Sequence, residues 1–77
     1  MGLVFGSVNG ADPGATLEFA DASSGSVVAR ATTNSQMQYS VNLNPGTYNV
    51  ELADGRSVSP ASIRVPYAPQ SQVFSIV

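Results

Sequence analysis

The chain contains no cysteine, no histidine, no lysine and no tryptophan. Without cysteine it can build neither a disulfide framework nor a thiolate metal site. Without cysteine or histidine the usual nucleophile–base pairs are missing, and acid–base chemistry would fall to carboxylates alone. Charge is equally sparse. Arg30, Arg56 and Arg64 stand against Asp12, Glu18, Asp21, Glu51 and Asp54, a formal net charge of −2. Three isolated arginines make no cationic stripe for a phosphate backbone, so no nucleic-acid partner is expected. No apolar run approaches the roughly 20 residues of a membrane helix, and no membrane partner is expected. The amino terminus also lacks the basic and apolar regions of a signal peptide. A chain complete from Met1 would on this reading stay in the cytoplasm or travel in a virion, whereas a module cut from a secreted protein would be extracellular.

What is present is a neutral polar coat of Ser, Thr, Asn, Gln and Ala around short apolar stretches. At 77 residues there is room for a single domain, 1–77. A domain of that size hides only about 60% of the surface that its unfolded chain exposes, so its stability is marginal unless packing is good or a partner helps. An uncharged coat neither repels nor steers, which suits contact with other protein more than capture of an ionic ligand.

β-Branched and aromatic residues recur in short runs broken by Gly, Pro, Asn, Asp and Ser, at the spacing of about 8–12 residues that marks an all-β fold. Seven strands are predicted: Leu3 to Asn9, Ala15 to Asp21, Ser26 to Thr32, Met37 to Leu43, Thr47 to Ala53, a stretch around Ile63 and Val65 bracketed by Pro60 and Pro66, and Val73 to Val77. Leu17 and Phe19 alternate with Thr16 and Glu18, so the former face inward. The clearest segment runs from Tyr39 to Leu52. There Tyr39, Val41 and Leu43 share one face, Tyr48, Val50 and Leu52 share another, and Pro45-Gly46 is predicted to join the two strands as a hairpin turn. Asp54-Gly55 predicts a second tight turn. Antiparallel strands with one apolar face each bury those faces by stacking as two sheets, so the expected class is an all-β, seven-stranded antiparallel β-sandwich, immunoglobulin-like or transthyretin-like.

Gly6-Ser7-Val8, Gly14-Ala15-Thr16-Leu17-Glu18-Phe19, Thr33-Asn34 and Leu43-Asn44-Pro45-Gly46-Thr47-Tyr48-Asn49-Val50 together form a pattern. It resembles the carboxypeptidase regulatory-like (transthyretin-like) β-sandwich domain over most of residues 3 to 65. Two positions depart from that family: Met37 stands where it has a turn glycine, and Asn34 where it has aspartate. The resemblance implies an architecture and a non-catalytic role as a folding, docking or surface module. It carries no active-site residues.

Glu18 and Glu51 occupy outward strand positions, and Asp12, Asp21 and Asp54 lie in turns, where aspartate bonds neighbouring backbone amides. No loop holds two acids, so a calcium site is not expected. No catalytic residue, metal or cofactor is expected either, nor is an enzyme. Tyr39 and Tyr48 read as core residues whose hydroxyls reach a partner. Tyr67, between Pro66 and Pro69, is the candidate for an exposed contact. The first strand is apolar on both faces, with Leu3 and Phe5 opposite Val4 and Val8, and in the last strand Val73 and Val77 oppose Phe74 and Ile76. Strands of that kind are covered on both sides, and a monomer this small has nothing left to cover the second. Leu3, Phe5, Tyr67, Val73 and Val77 are therefore the candidate interface. Two functions follow as expectations. One is a structural protein that docks on a larger protein assembly or forms a homo-oligomer, a phage or virion capsid decoration protein being one form. The alternative is a carbohydrate- or peptide-binding accessory module of a secreted multidomain protein.

Overall fold

A computed structural model describes residues 2–66 and 69–77. The described residues form eight strands and no helix: β1 (Gly2–Asn9), β2 (Thr16–Asp21), β3 (Val27–Thr32), β4 (Gln38–Leu43), β5 (Gly46–Leu52), β6 (Ser57–Val65), β7 (Gln70–Ser71) and β8 (Phe74–Ile76). The first five fall within a residue or so of their expected bounds, because alternation of apolar and polar side chains locates half-buried strands directly. β6 starts earlier than expected and runs through Pro60. The β5–β6 ladder is irregular between Asn49 and Glu51, and none of the paired positions involves Pro60. Its missing N–H is lost where no ladder bond is needed.

The strands join in the order β3-β2-β5-β6-β8-β1-β4, with β7 alongside β1. β3 and β4, the two ends, lie next to one another without a ladder between them, so the sheet wraps around its core as a nearly closed, barrel-like structure. Two expectations are corrected. The fold is not purely antiparallel: Val4 and Phe5 pair in parallel with Gln70 and Ser71, and Val8 and Asn9 in parallel with Phe74 and Ser75. The last strand also comes in two pieces, because Gln70–Ser71 pairs with β1 ahead of Phe74–Ile76.

The larger correction concerns Pro45-Gly46. β4 pairs with β1, and β5 with β2 and β6, so the two strands are not a hairpin at all. The reason lies in turn chemistry. Proline at the first central position suits type I and II turns, which splay flanking strands instead of matching their twist. Gly46 has φ 158°, close to extended and far from the value of a turn glycine. The chain therefore crosses from one side of the barrel to the other at Asn44–Pro45. Tyr48 holds this corner by donating its hydroxyl to the Asn44 carbonyl at 2.5 Å. Both strands still point their apolar residues at one core, from opposite sides.

In that core Phe19, Tyr39 and Phe74 meet with ring centroids 5.7–6.3 Å apart. Leu17, Leu52, Val4, Val8, Val58 and Val65 are fully buried around them, each side chain contributing roughly 1.5–3 kcal/mol. The turn into β4 has Asn34 accepting the Gln36 and Gln38 amides, and Met37 in the left-handed region at φ 61°.

Gly6 sits where β1 changes partner from β7 to β8. A Cβ there would lie 2.1 Å from the Gln72 carbonyl oxygen. Gly6→Ala is accordingly expected to destabilise the protein by about 1–3 kcal/mol, as overpacking does. Gly25→Ala, in open space at φ 77°, meets only the left-handed backbone cost of about 1–2 kcal/mol. Urea denaturation of the two variants, combined with hydrogen exchange at the β1–β8 seam, separates them: the seam loosens only in Gly6→Ala.

Candidate interaction surface

β1 alternates as its sequence requires. Val4 and Val8 are buried, while Leu3 and Phe5 are 36% and 41% exposed on the outer face. Leu3 is opposite Asn42, and Phe5 lies between Ser40 on one side and Ser71 on the other. The Gln72 amide donates to the Phe5 carbonyl at 2.8 Å, which carries Val73, 47% exposed, to the wall of a shallow depression of about 630 Å³ shared with Phe5, Gly6, Ser40 and Ser71. One oxygen governs this placement. The Gln72 carbonyl lies over Gly6, where no side chain intervenes, and accepts the Tyr39 hydroxyl at 2.6 Å.

Of the five candidate residues, the fold brings together Leu3, Phe5 and Val73. Val77 is 77% exposed but lies at the other end of the molecule. Phe74 pairs with Val8 in parallel, so Val77 and Leu3 extend in opposite directions from that pair, roughly 25 Å apart along the strands. Tyr67 lies outside the described residues.

The surroundings of the patch are uncharged. β1, β4, β7 and β8 contain no charged side chain, and all eight of the chain's charges belong to the other strands and to turns. On the opposite face the Arg30 guanidinium meets the Glu18 carboxylate at 3.0 Å, and Glu18 is directly opposite Glu51. Asp54 closes its turn by accepting the Arg56 backbone amide and then its guanidinium at 2.7 Å, and those bonds hold its carboxyl below the usual range. Asp21 is lowered likewise by the Ser23 hydroxyl and amide. Asp54 lies in its turn as its position predicted, whereas Asp21 is the last residue of β2 and only its side chain serves the turn that follows. Such exposed pairs contribute little stability. Among the described residues no three of the carboxylates gather as a metal site would require.

Sequence reasoning placed Tyr39 and Tyr48 correctly in the core with bonded hydroxyls. It missed the role of Gly6 and a cleft between the ends of β3 and β4. The signal for the cleft was Val27-Val28, two valines in succession that break the alternation of β3. Comparison with known proteins returns no matching family model, no matching curated sequence and no matching solved structure.

Burial pushes the Tyr39 hydroxyl well above the ordinary value of 10.0, and burial followed by the nearby Asp21 charge raises Tyr48. Unfolded tyrosines ionise near pH 10, whereas in the fold Tyr39 holds its proton well beyond that and Tyr48 is shifted in the same direction. Stability is therefore intact below about pH 10 and falls as pH climbs beyond it, by at most about 1.4 kcal/mol per pH unit for each such tyrosine. Tyr39→Phe removes its share of that slope. At neutral pH it also costs about 1–2 kcal/mol, because the Gln72 carbonyl loses its donor. Chemical denaturation from neutral pH to about pH 11 measures both effects.

Proposed function

We propose that this protein is a non-catalytic interaction module that uses the outer face of β4, β1 and β7 to dock on another protein or on its own copies. The observation that carries this reading is the coincidence of exposed Leu3, Phe5 and Val73 with a set of strands that has no charge. Apolar side chains on an uncharged, polar-rimmed face match the anatomy of a protein–protein contact, whose centre is depleted in charge. Three part-exposed apolar side chains make a small contact, and a small contact gains most from repeated or multivalent engagement within an assembly. Capsid decoration is one form such a role takes.

The grouping β3-β2-β5-β6 opposite β4-β1-β7 supports a two-layer sandwich as the finer description of the barrel. Within that class the transthyretin-like variant is the better reading. In the immunoglobulin arrangement the first strand lies beside the second, whereas here β1 pairs with β4. Met37 supports the same reading, since it holds the left-handed conformation that the family's turn glycine would supply.

Light scattering over a wide concentration range, together with binding to the products of neighbouring genes, tests the proposal. Phe5→Ser is expected to weaken the association by about 10-fold or more, as loss of a central anchor does, with little change in unfolding free energy because Phe5 is exposed. Val77→Ser is expected to leave it unchanged. A chain that remains strictly monomeric at millimolar concentration and binds none of those products would remove the basis for this function.

A further inference from the structure

β3 and β4 are the two open ends of the sheet, and they face each other across the place where the barrel fails to close. Over part of their length their Cα atoms come within 8 Å. Two strand spacings are about 9.6 Å, so no further strand fits there. Away from the 33–37 turn the edges part around a cleft of about 590 Å³. Val28 and Ala29 of β3 form one wall, and Asn42 and Leu43 of β4 the other, with the crossover corner and the Asp21–Ser23 turn completing it. The volume is that of a ligand cleft.

The walls indicate which ligand. Each is a sheet edge, which presents unpaired backbone N–H and C=O groups at strand spacing. Proteins blunt such edges with lysine, proline, inward charge or a bulge. Of these Val27–Thr32 carries only a bulge, at Val28, and Gln38–Leu43 carries none, while the single arginine in the two strands, Arg30, is engaged by Glu18. Val28 is the extra residue at a register shift in the β2–β3 ladder and stands 55% exposed beside the cleft. The aromatic residue in the lining, Tyr48, is buried with its hydroxyl committed to Asn44, so no open ring face is offered to a sugar. Asp21 is the one charged lining residue.

We propose that this cleft accepts a short extended peptide segment of a partner protein, neutral or carrying one cation near Asp21. The segment pairs with β3 on one side and β4 on the other, and so closes the barrel. This is recognition by strand addition, in which main-chain bonds supply affinity and apolar contacts, here Val28 and Leu43, supply selectivity. It is independent of the outer-face contact proposed above.

The test is amide hydrogen exchange of the intact protein titrated with a blocked pentapeptide, acetyl-Thr-Val-Thr-Val-Thr-amide. At about ten times its Kd the peptide is expected to slow exchange roughly tenfold at amides on both walls, within 27–29 and 42–44. Val28→Glu, which places a second carboxylate near Asp21, is expected to weaken binding about tenfold, while Val28→Thr and Phe5→Ser retain it. Val28 and Phe5 are both exposed, so all three variants fold, as circular dichroism would verify. No slowing up to the peptide's solubility limit, slowing on one wall alone, or equal protection of the same amides by cellopentaose would each overturn the proposal.

Discussion

The parallel seam between β1 and the C-terminal segment is the contact on which the rest of the structure depends. β8 is three residues long, yet among the described residues its ladders to β6 and β1 are what join β3-β2-β5-β6 to β1-β4. The seam links positions as distant as Asn9 and Ser75, 66 residues apart. Parallel pairing requires a long connection, and here that connection is most of the chain. Joining of the two groups of strands therefore waits for Phe74–Ile76, and a fold dominated by such non-local contacts belongs to the slow-folding topologies. Gly6, the Gln72 carbonyl and the Tyr39 hydroxyl meet at the middle of the seam, where a backbone carbonyl occupies the space that any larger side chain at position 6 would fill.

The same seam positions both of the proposed contact surfaces. By holding Gln72 against β1 it sets Val73 beside Phe5, and by holding β1 it fixes β4, whose outer face rims the apolar patch and whose open edge lines the cleft. The charges keep to the other side. The row Arg30–Glu18–Glu51 across β3, β2 and β5 places one cation among two acids on a face that would repel its own copy more than the uncharged face does. Segregation of this kind adds little to stability, because exposed ion pairs are weak, and its effect is on which face a neighbour can approach.

Much of the fold was legible in the chain. Leu17, Phe19, Tyr39, Leu43, Tyr48, Val50 and Leu52 face the core where their alternation puts them, and the turn at Asp54-Gly55 follows from its residues. The candidate surface was partly legible: Leu3 and Phe5 stood out because β1 is apolar on both faces, and Val73 because it opposes Phe74. That Val77 would lie far from them was not legible, since their distance depends on the parallel register of β8 on β1. The cleft left only the faint mark of Val27-Val28, because a gap between two edges is a property of neither strand alone.

By itself the sequence determined the strand class, the inward faces and the absence of charge from four strands, all of which follow from local side-chain periodicity and residue type. Tertiary structure alone decided which strand lies beside which. Alternation dictates the face a residue presents but is indifferent to its neighbour, so the Tyr39–Leu52 segment satisfies the same pattern as a hairpin or as a crossover. Proline's preference for turns that splay strands, the tyrosine bond at the corner and the competing ladders of β1, β2 and β6 selected the crossover, and with it the open edges and the patch.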